Sequence, residues 1–177
     1  AEATVLAILA PDGSSRPAVA EDEIATVILD RTPFYAESGG QHADAGTITW
    51  DGGSGDVIDV QRPVKSLIAH TVHVRAGQLV LGATVAAAVD ADWRRGARQA
   101  HSATHIVHAA LREVLGPTAL QSGSYNRPGY LRLYFAWRTP LSPEQRHEVE
   151  EVANRALRDA LPVTISYRPL AQARAEG

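Results

Sequence analysis

The period of the hydrophobic pattern changes once along this chain, close to Asp90, and this change constrains the fold more than any other feature. Before Asp90, short apolar and β-branched runs are separated by Gly-rich turns; they cover residues 4–9, 24–29, 46–50, 57–60, 67–74 and 78–89. Asp51-Gly52-Gly53, between two of these runs, is typical of a tight hairpin turn. Many short strands of this kind predict a small β-barrel-like subdomain over residues 1–90.

After Asp90 the apolar residues follow a helical period. Between residues 101 and 115 they recur at intervals of three and four residues, and Gly116-Pro117 follows, so an amphipathic helix is expected there. A second helix is expected after Ser142, which suits an N-cap, with Pro143 and Gln145 at the positions that a capping box favours. Strands are expected over 130–137 and 163–167, and a short helix over 170–176. Residues 91–177 thus predict an α/β two-layer subdomain, and the chain as a whole an α+β fold.

Three histidines lie on the first predicted helix at i, i+4 and i+7: His101, His105 and His108. At about 100° per residue they form one narrow stripe, which is expected to face away from the apolar stripe, with Thr104 at its flank. A pair of histidines at i, i+4 can bind one zinc ion. A solvated helix face that carries histidines by chance explains the same spacing equally well, and His108 suits a packing role better than that of a third ligand.

A zinc site needs more than this pair, since a catalytic zinc takes three protein ligands and a structural one takes four. The chain has no Cys, which excludes thiolate ligands and disulfides within it. His42, His70 and His73 are candidates for further ligands, although none has a motif spacing with the helical pair.

Charge and composition narrow the remaining functions. The formal net charge is −3, which lacks the basic footprint of a free-standing nucleic-acid binder. Local basic clusters do exist at residues 94–98 and at Arg127 and Arg132, and further affinity for RNA would come from other parts of a longer protein.

The absence of Met suggests that the chain is a fragment. A signal peptide and an apolar run of membrane-spanning length are both missing, so a cytoplasmic protein with no membrane partner is expected.

The segment Thr32 to Gln41 combines two aromatic residues with Gly39-Gly40 and several polar residues. Two consecutive glycines permit backbone torsions that other residues avoid, and they permit a close approach by a ligand. A hairpin turn is the simpler interpretation of the same pair. A phosphate-binding loop is excluded, because the lysine and the glycine spacing of such loops are missing.

Taken together, these segments identify a family resemblance. Residues 34–41 (FYAESGGQ), followed by Asp44-Ala45-Gly46, resemble the glycine motif of alanyl-tRNA synthetases. Residues 101–111 (HSATHIVHAAL) are similar to the HxxxH helix of the same family, and Gln121 follows at the distance that the family has. The resemblance extends from about residue 4 to the end of the chain. It favours the synthetase over the free-standing editing proteins that share a weaker form of the pattern.

The resemblance implies an editing function. In this family a barrel-like subdomain and an α/β subdomain, the latter also found in threonyl-tRNA synthetases, hydrolyse the ester that joins serine or glycine to tRNA(Ala). It implies that His101 and His105 bind zinc, completed by a Cys and a His of a later CxxxH motif that this chain lacks. It further implies that Thr104 and Gln121 are the catalytic residues lining the amino-acid pocket. The implied partners are the mischarged tRNA(Ala) and the remainder of the synthetase.

The same resemblance assigns Gly39, Gly40 and Gln41 to a substrate-binding loop that helps to reject correctly attached alanine. One residue departs from the family: Tyr134 stands where an acidic residue is usual.

Two other functions stay open on the sequence. A metal-dependent hydrolase of another class needs a general base, for which Glu37 is the acid within the glycine motif, although an HExxH motif is absent. A non-catalytic tRNA-binding or scaffold module is the second alternative, whereas amino-acid charging is not expected.

Overall fold

The computed structural model describes residues 1–162 and 164–176. Eight strands occupy the first half of the chain; in order they are β1 (Glu2–Leu9), β2 (Ala18–Val19), β3 (Ile24–Leu29), β4 (Gly46–Trp50), β5 (Gly53–Val64), β6 (Leu67–Ala76), β7 (Leu79–Val80) and β8 (Thr84–Val89). Six of them form a closed antiparallel barrel in the order β1-β3-β6-β5-β4-β8, while β2 and β7 pair separately. The barrel predicted from the alternating runs is therefore confirmed.

Two details of the predicted strands were wrong. The run over 78–89 is not one strand but two, β7 and β8, since the turn 81–83 separates them and contains Gly82 at a φ of +80°. The strand expected over 57–60 is the long β5, which begins directly after the hairpin turn at Asp51-Gly52. Register shifts interrupt its pairing with β6 at three places, so the simple alternation extends over only part of its length.

Alternate barrel residues point inward and fill the interior with β-branched side chains. Those exposed by 1% or less include Val5, Ile8, Val27, Ile48, Val57, Val60, Val72, Val74 and Val85. His70 lies among them, with Nε2 2.8 Å from Thr32 Oγ1 and Nδ1 2.9 Å from Val27 O. Burial lowers the pKa of His70, although the bond to Val27 opposes this. His70 is thus a hydrogen-bonded core residue.

Helix α1 (Ala91–Leu115) follows the barrel directly and is longer than predicted, because it begins at Ala91 and not at residue 101. The Asp90 side chain caps it by accepting hydrogen bonds from Asp92 N and Trp93 N, each at 2.9 Å. Its first half buries the small residues Ala97 and Ala100. Small buried residues give a weak hydrophobic period, which explains why the first turns were missed.

The second half of the chain forms two layers. Strands β9 (Gln121–Arg127) and β10 (Tyr130–Phe135) pair as an antiparallel hairpin, and α1 and helix α2 (Pro143–Arg158) pack together beside it. Leu133 and Phe135 of β10 contact a cluster formed by Ala110, Leu111 and Val149. These layers establish the α+β fold, with a barrel followed by helices and strands.

Both later helices predicted for this half are confirmed, but one predicted strand is not. Ser142 caps α2 through a capping box with Gln145, and the short helix α3 (Leu170–Glu176) forms where expected. The strand predicted over 163–167 was wrong over residues 164–167, which are not in a strand; residue 163 lies outside the described residues. In the described ranges, no helix is both long enough and apolar enough to cross a membrane.

Candidate functional site

The glycine pair forms a tight turn whose backbone touches β9. Ser38 and Gln41 pair across the turn, and Gly39 and Gly40 have φ values of +59° and +78°, as both central residues of a type I′ turn require. A Cβ atom at Gly40 would lie 2.3 Å from Ser124 Oγ and 2.7 Å from Ser124 O. Gly40 is therefore needed both for its torsion and for the close approach. The hairpin-turn interpretation was correct, but the turn also docks on a strand distant in sequence.

Two backbone hydrogen bonds hold the turn on β9. Asn126 N donates to Gly40 O at 2.7 Å, and His42 N donates to Asn126 O at 2.8 Å. A single residue of β9 thus bonds to both sides of Gln41, and Gln41 and Asn126 form a short parallel bridge. The position of Gln41 is consequently fixed by the backbone and not by its own side chain.

The start of the same loop is anchored to the first turn of α1. Asp44 is 1% exposed, and both of its carboxylate oxygens accept from Arg94 Nε at 3.1 Å, with a further bond from Nη2. Arg94 Nη2 also donates to Pro33 O at 2.6 Å, and Tyr35 N donates to Asp44 at 2.6 Å. The hydrogen bond to Asp44 is the main reason that the pKa of Arg94 is raised. Arg94 therefore positions the loop. Because Asp44 neutralises its charge, Arg94 is not available to pair with an RNA phosphate.

The side chain of Gln41 connects the glycine turn to His101, the first residue of the histidine stripe. His101 Nδ1 lies 3.1 Å from Gln41 Oε1, and the rings of His101 and His105 are stacked with centroids 5.0 Å apart. Because Oε1 is an acceptor, Nδ1 donates, and the lone pair of His101 Nε2 is left for another partner. Burial, and then the charge of His105, lower the pKa of His101, which favours the neutral ring.

Thr104 lies in the packed face of α1, between the helix and β9. It is 1% exposed, and its hydroxyl contacts Ala100 O at 3.1 Å and, more closely, Asn126 Oδ1. Thr104 was expected at the flank of a histidine stripe opposite the packed face, and this orientation of the stripe was wrong. The histidines border the packed face and do not oppose it: His101 contacts Gln41, and His108 Nε2 lies 3.2 Å from Ala119 O, as a packing role predicts.

Asn126 is a site residue that the sequence analysis missed. It is fully buried, its backbone holds the glycine turn and its side chain meets Thr104. Its Nδ2 atom is buried without a hydrogen-bond partner in the part of the chain that the structure describes. A buried amide nitrogen without an acceptor is unfavourable by about 1–3 kcal/mol. Asn126 thus lies buried at the point where the loop, α1 and β9 meet.

Gln121, in contrast, is not drawn into this junction. It begins β9, pairs with Phe135 after a register shift and is exposed. The register places it on the same face of the hairpin as Asn126, but five residues away, or about 16 Å along a strand. Gln121 makes no hydrogen bond with Thr104. Of the predicted site residues, the structure brings together Gly39, Gly40, Gln41, His101, His105 and Thr104.

The histidine pair does not by itself complete a metal site. Across residues 1–162 and 164–176, no three His, Cys, Asp or Glu side chains lie together in a way that could hold a metal ion. His70 is bonded inside the barrel, and His42 packs edge-on against Trp93 and Tyr125. The described residues thus supply two nitrogen ligands, one fewer than a catalytic zinc requires, and they do not fit that ion alone.

Comparison of the sequence with known proteins shows the family to which the chain belongs. A family model described as "tRNA synthetases class II (A)" matches residues 1–93, and the chain belongs to that class of synthetases. It is 54% identical over 176 residues to the alanine–tRNA ligase of Leifsonia xyli subsp. xyli (strain CTCB07), which covers 99% of this chain and 20% of the relative. Within the class, the chain is a member of the alanyl-tRNA synthetase family, as the two motifs predicted.

Further alanine–tRNA ligases give the same result. The enzyme of Clavibacter sepedonicus is 55% identical over 174 residues, covering 98% of this chain and 20% of the relative. That of Mycolicibacterium smegmatis (strain ATCC 700084 / mc(2)155) is 53% identical over 184 residues, covering 99% and 20%. The chain therefore spans about a fifth of the length of the curated relatives that it matches.

Proposed function

We propose that this chain is the editing region of an alanine–tRNA ligase, and that it hydrolyses the ester joining serine or glycine to tRNA(Ala). One observation carries the proposal: Gln41 of the glycine turn bonds to His101, while the same turn and Thr104 both meet Asn126. Three segments far apart in the sequence thereby place imidazole, hydroxyl and carboxamide groups at one junction.

The reaction needs a water molecule, an oriented ester carbonyl and an acceptor for developing charge. Water adds to the carbonyl carbon, the bond from that carbon to the ribose oxygen breaks, and the ribose oxygen takes up a proton. Because His101 Nδ1 bonds to Gln41, the lone pair of Nε2 is free. Nε2 would act in this reaction either by accepting a hydrogen bond from the attacking water or by binding a metal ion. A zinc ion, with further ligands from the rest of the synthetase, would polarise the carbonyl when bound.

Selection of serine over alanine depends on one hydroxyl group. A site that hydrogen-bonds the substrate hydroxyl rejects an analogue lacking it far better than an apolar pocket rejects an added hydroxyl. Thr104 is the proposed partner of that hydroxyl, whereas Gln121, about 16 Å along β9 from Asn126, does not reach the same group. Since Thr104 and Asn126 are buried against each other, a seryl hydroxyl reaches Thr104 only when this contact opens.

The test is single-turnover hydrolysis of seryl-, glycyl- and alanyl-tRNA(Ala) by the complete ligase that contains this region. Thr104→Val keeps the shape of the side chain and removes the hydroxyl, so we expect seryl hydrolysis to slow by about 10- to 100-fold while glycyl hydrolysis changes little. Thr47→Val, on the exposed side of β4, is the matched control. If Thr104→Val slows the hydrolysis of seryl- and glycyl-tRNA(Ala) equally, Thr104 has a structural role. If the parent ligase hydrolyses neither ester, the proposed function is refuted.

A non-catalytic tRNA-binding or scaffold role is the second candidate. It is favoured by the incomplete ligand set within the described residues. This role predicts binding of tRNA(Ala) with no zinc and no hydrolysis in the complete ligase. Elemental analysis of the ligase and of its His101→Ala variant separates the two functions.

A further inference from the structure

The outer face of the β9–β10 hairpin carries tyrosine and arginine side chains alone, apart from one glycine. The register pairs Arg127 with Tyr130, Tyr125 with Arg132, and Gly123 with Tyr134, and paired residues share a face of an antiparallel sheet. The opposite face holds Leu131 and Leu133 and is turned towards α1. The two faces of the hairpin therefore differ sharply in chemistry.

These side chains contact one another as ordered cation–π pairs. Arg127 Cζ lies 5.1 Å from the centre of the Tyr130 ring, and Arg132 Cζ lies 5.0 Å from that of Tyr134. Tyr130 and Tyr134 are nevertheless 42% and 48% exposed. Within the described chain, neither arginine pairs with a carboxylate, and the face itself has none. Exposed rings and unneutralised guanidinium groups thus stand side by side.

A strip of aromatic contacts connects this face to the glycine turn. The Tyr125 ring is 6.3 Å from Tyr130 and 5.8 Å from His42, which packs in turn against Trp93. His42 directly follows Gln41, the residue that contacts His101. A ligand lying along the strip therefore ends beside the junction described above.

We infer that this face binds single-stranded RNA. Bases stack on tyrosine rings and guanidinium planes, while Arg127 and Arg132 neutralise backbone phosphates, which is how sequence-tolerant single-strand binding surfaces work. Duplex RNA fits less well, since its bases are already stacked. The identity of the RNA as the 3′ end of tRNA rests on the proposed function, whereas the binding itself does not.

The face also accounts for the departure at Tyr134. This ring lies over Gly123, whose Cβ position would be 3.6 Å from Tyr134 Cδ2, and it holds the Arg132 guanidinium. An acidic residue in its place would neutralise Arg132 and remove a stacking surface. The tyrosine thus adds RNA affinity to a chain whose net charge is −3.

The test is fluorescence anisotropy of a labelled short single-stranded RNA titrated with the 177-residue chain. Tyr134→Ala is expected to weaken binding by about 5- to 150-fold, which is the range for loss of one base–aromatic stack, and Tyr134→Phe to stay within about twofold. Arg127→Ala and Arg132→Ala should each lower the slope of log K against log salt by about 0.7. Arg146→Ala, which removes an equal charge from the exposed side of α2, is the control.

Circular dichroism of each variant checks that the hairpin is folded. Three results would overturn the inference. The first is that Tyr134→Ala binds the RNA as tightly as Tyr134→Phe does, and the second is that Arg127→Ala and Arg132→Ala lose no more RNA affinity than Arg146→Ala. The third is that the annealed duplex binds as tightly as the single strand. If the chain binds RNA but the ligase hydrolyses no ester, the RNA-binding surface stands and the editing function is rejected. If the ligase hydrolyses the ester with an unchanged KM in the Tyr134→Ala, Arg127→Ala and Arg132→Ala variants, the editing function stands and the RNA-binding surface is rejected.

Discussion

Gly40→Ala is predicted to separate the glycine turn from β9, and Gly39→Ala is its matched control. Both residues have positive φ, so alanine at either position is disfavoured by about 1–2 kcal/mol. They differ in the space around a new methyl group. At Gly39 the nearest atom is His101 Cε1 at 3.9 Å, an ordinary contact, whereas at Gly40 the methyl would overlap the backbone of Ser124.

The magnitude follows from the contacts that are lost. To relieve the overlap the turn must lift, which breaks the bonds from Asn126 N to Gly40 O and from His42 N to Asn126 O. Each is a hydrogen bond of a buried residue worth about 1 kcal/mol net, and more where a buried partner stays unpaired. We therefore expect Gly40→Ala to lower the free energy of unfolding by about 2–4 kcal/mol more than Gly39→Ala does.

The assay is urea unfolding followed by tryptophan fluorescence, together with seryl-tRNA hydrolysis by the corresponding ligase variants. Gly13→Ala, at a φ of +83° with no atom within 4 Å of the new methyl, measures the torsional effect alone. If Gly40→Ala and Gly39→Ala agree within about 0.5 kcal/mol, the close approach to β9 has no energetic importance and the reasoning is refuted. Hydrolysis should fall further in Gly40→Ala, because Gln41 moves with the turn.

Three other predictions follow from buried or paired groups. Arg94→Ala should destabilise the chain by about 3–5 kcal/mol in the same unfolding assay, because buried Asp44 loses its partner; an effect below 1 kcal/mol would contradict this. The pKa of His70 is lowered by burial, so the unfolded state takes up a proton first as the pH falls below about 6.5. Stability should therefore decrease on acidification by up to about 1.4 kcal/mol per pH unit from this residue, and His70→Gln should remove that part of the slope, which a pH series of unfolding curves measures. Finally, elemental analysis should find zinc in the complete ligase and in its His147→Ala control but not in His101→Ala; equal zinc in all three would exclude the histidine pair as ligands.

Local pattern was sufficient for most elements of this fold but not for their boundaries or closure. Alternating residues such as Val72 and Val74 predicted barrel strands, because a strand with one buried face needs that alternation. Barrel closure joins β1 to β8 and depends on register between segments at opposite ends of the barrel sequence. Periodicity within one window carries no information on such pairing.

The failed strand over 164–167 shows the limit of β propensity. Ile165 and Tyr167 favour strands, yet they are 85% and 97% exposed and pair with no strand among the described residues. A strand is stable only when its backbone groups find partners. Propensity alone therefore does not predict a strand where there is no sheet for the segment to join.

Motif reasoning found the loop and the helix of the candidate site, and missed what joins them. Gly39-Gly40 and His101 stood out because of their residue types and spacing. Asn126 belongs to no motif, and its importance arises only because the hairpin brings it against Gly40 and Thr104. Contacts of this kind are determined by tertiary packing, so the sequence offered no signal that could have found Asn126.

The junction also has a consequence for the order in which the chain folds. Gln41 and His101 are 60 residues apart, and neither the barrel nor α1 holds both. Contacts between distant segments form only after the loop between them has been closed. The RNA-binding hairpin, in contrast, is built from neighbouring residues. During refolding we therefore expect the two strands of this hairpin to pair before Gln41 and His101 come together.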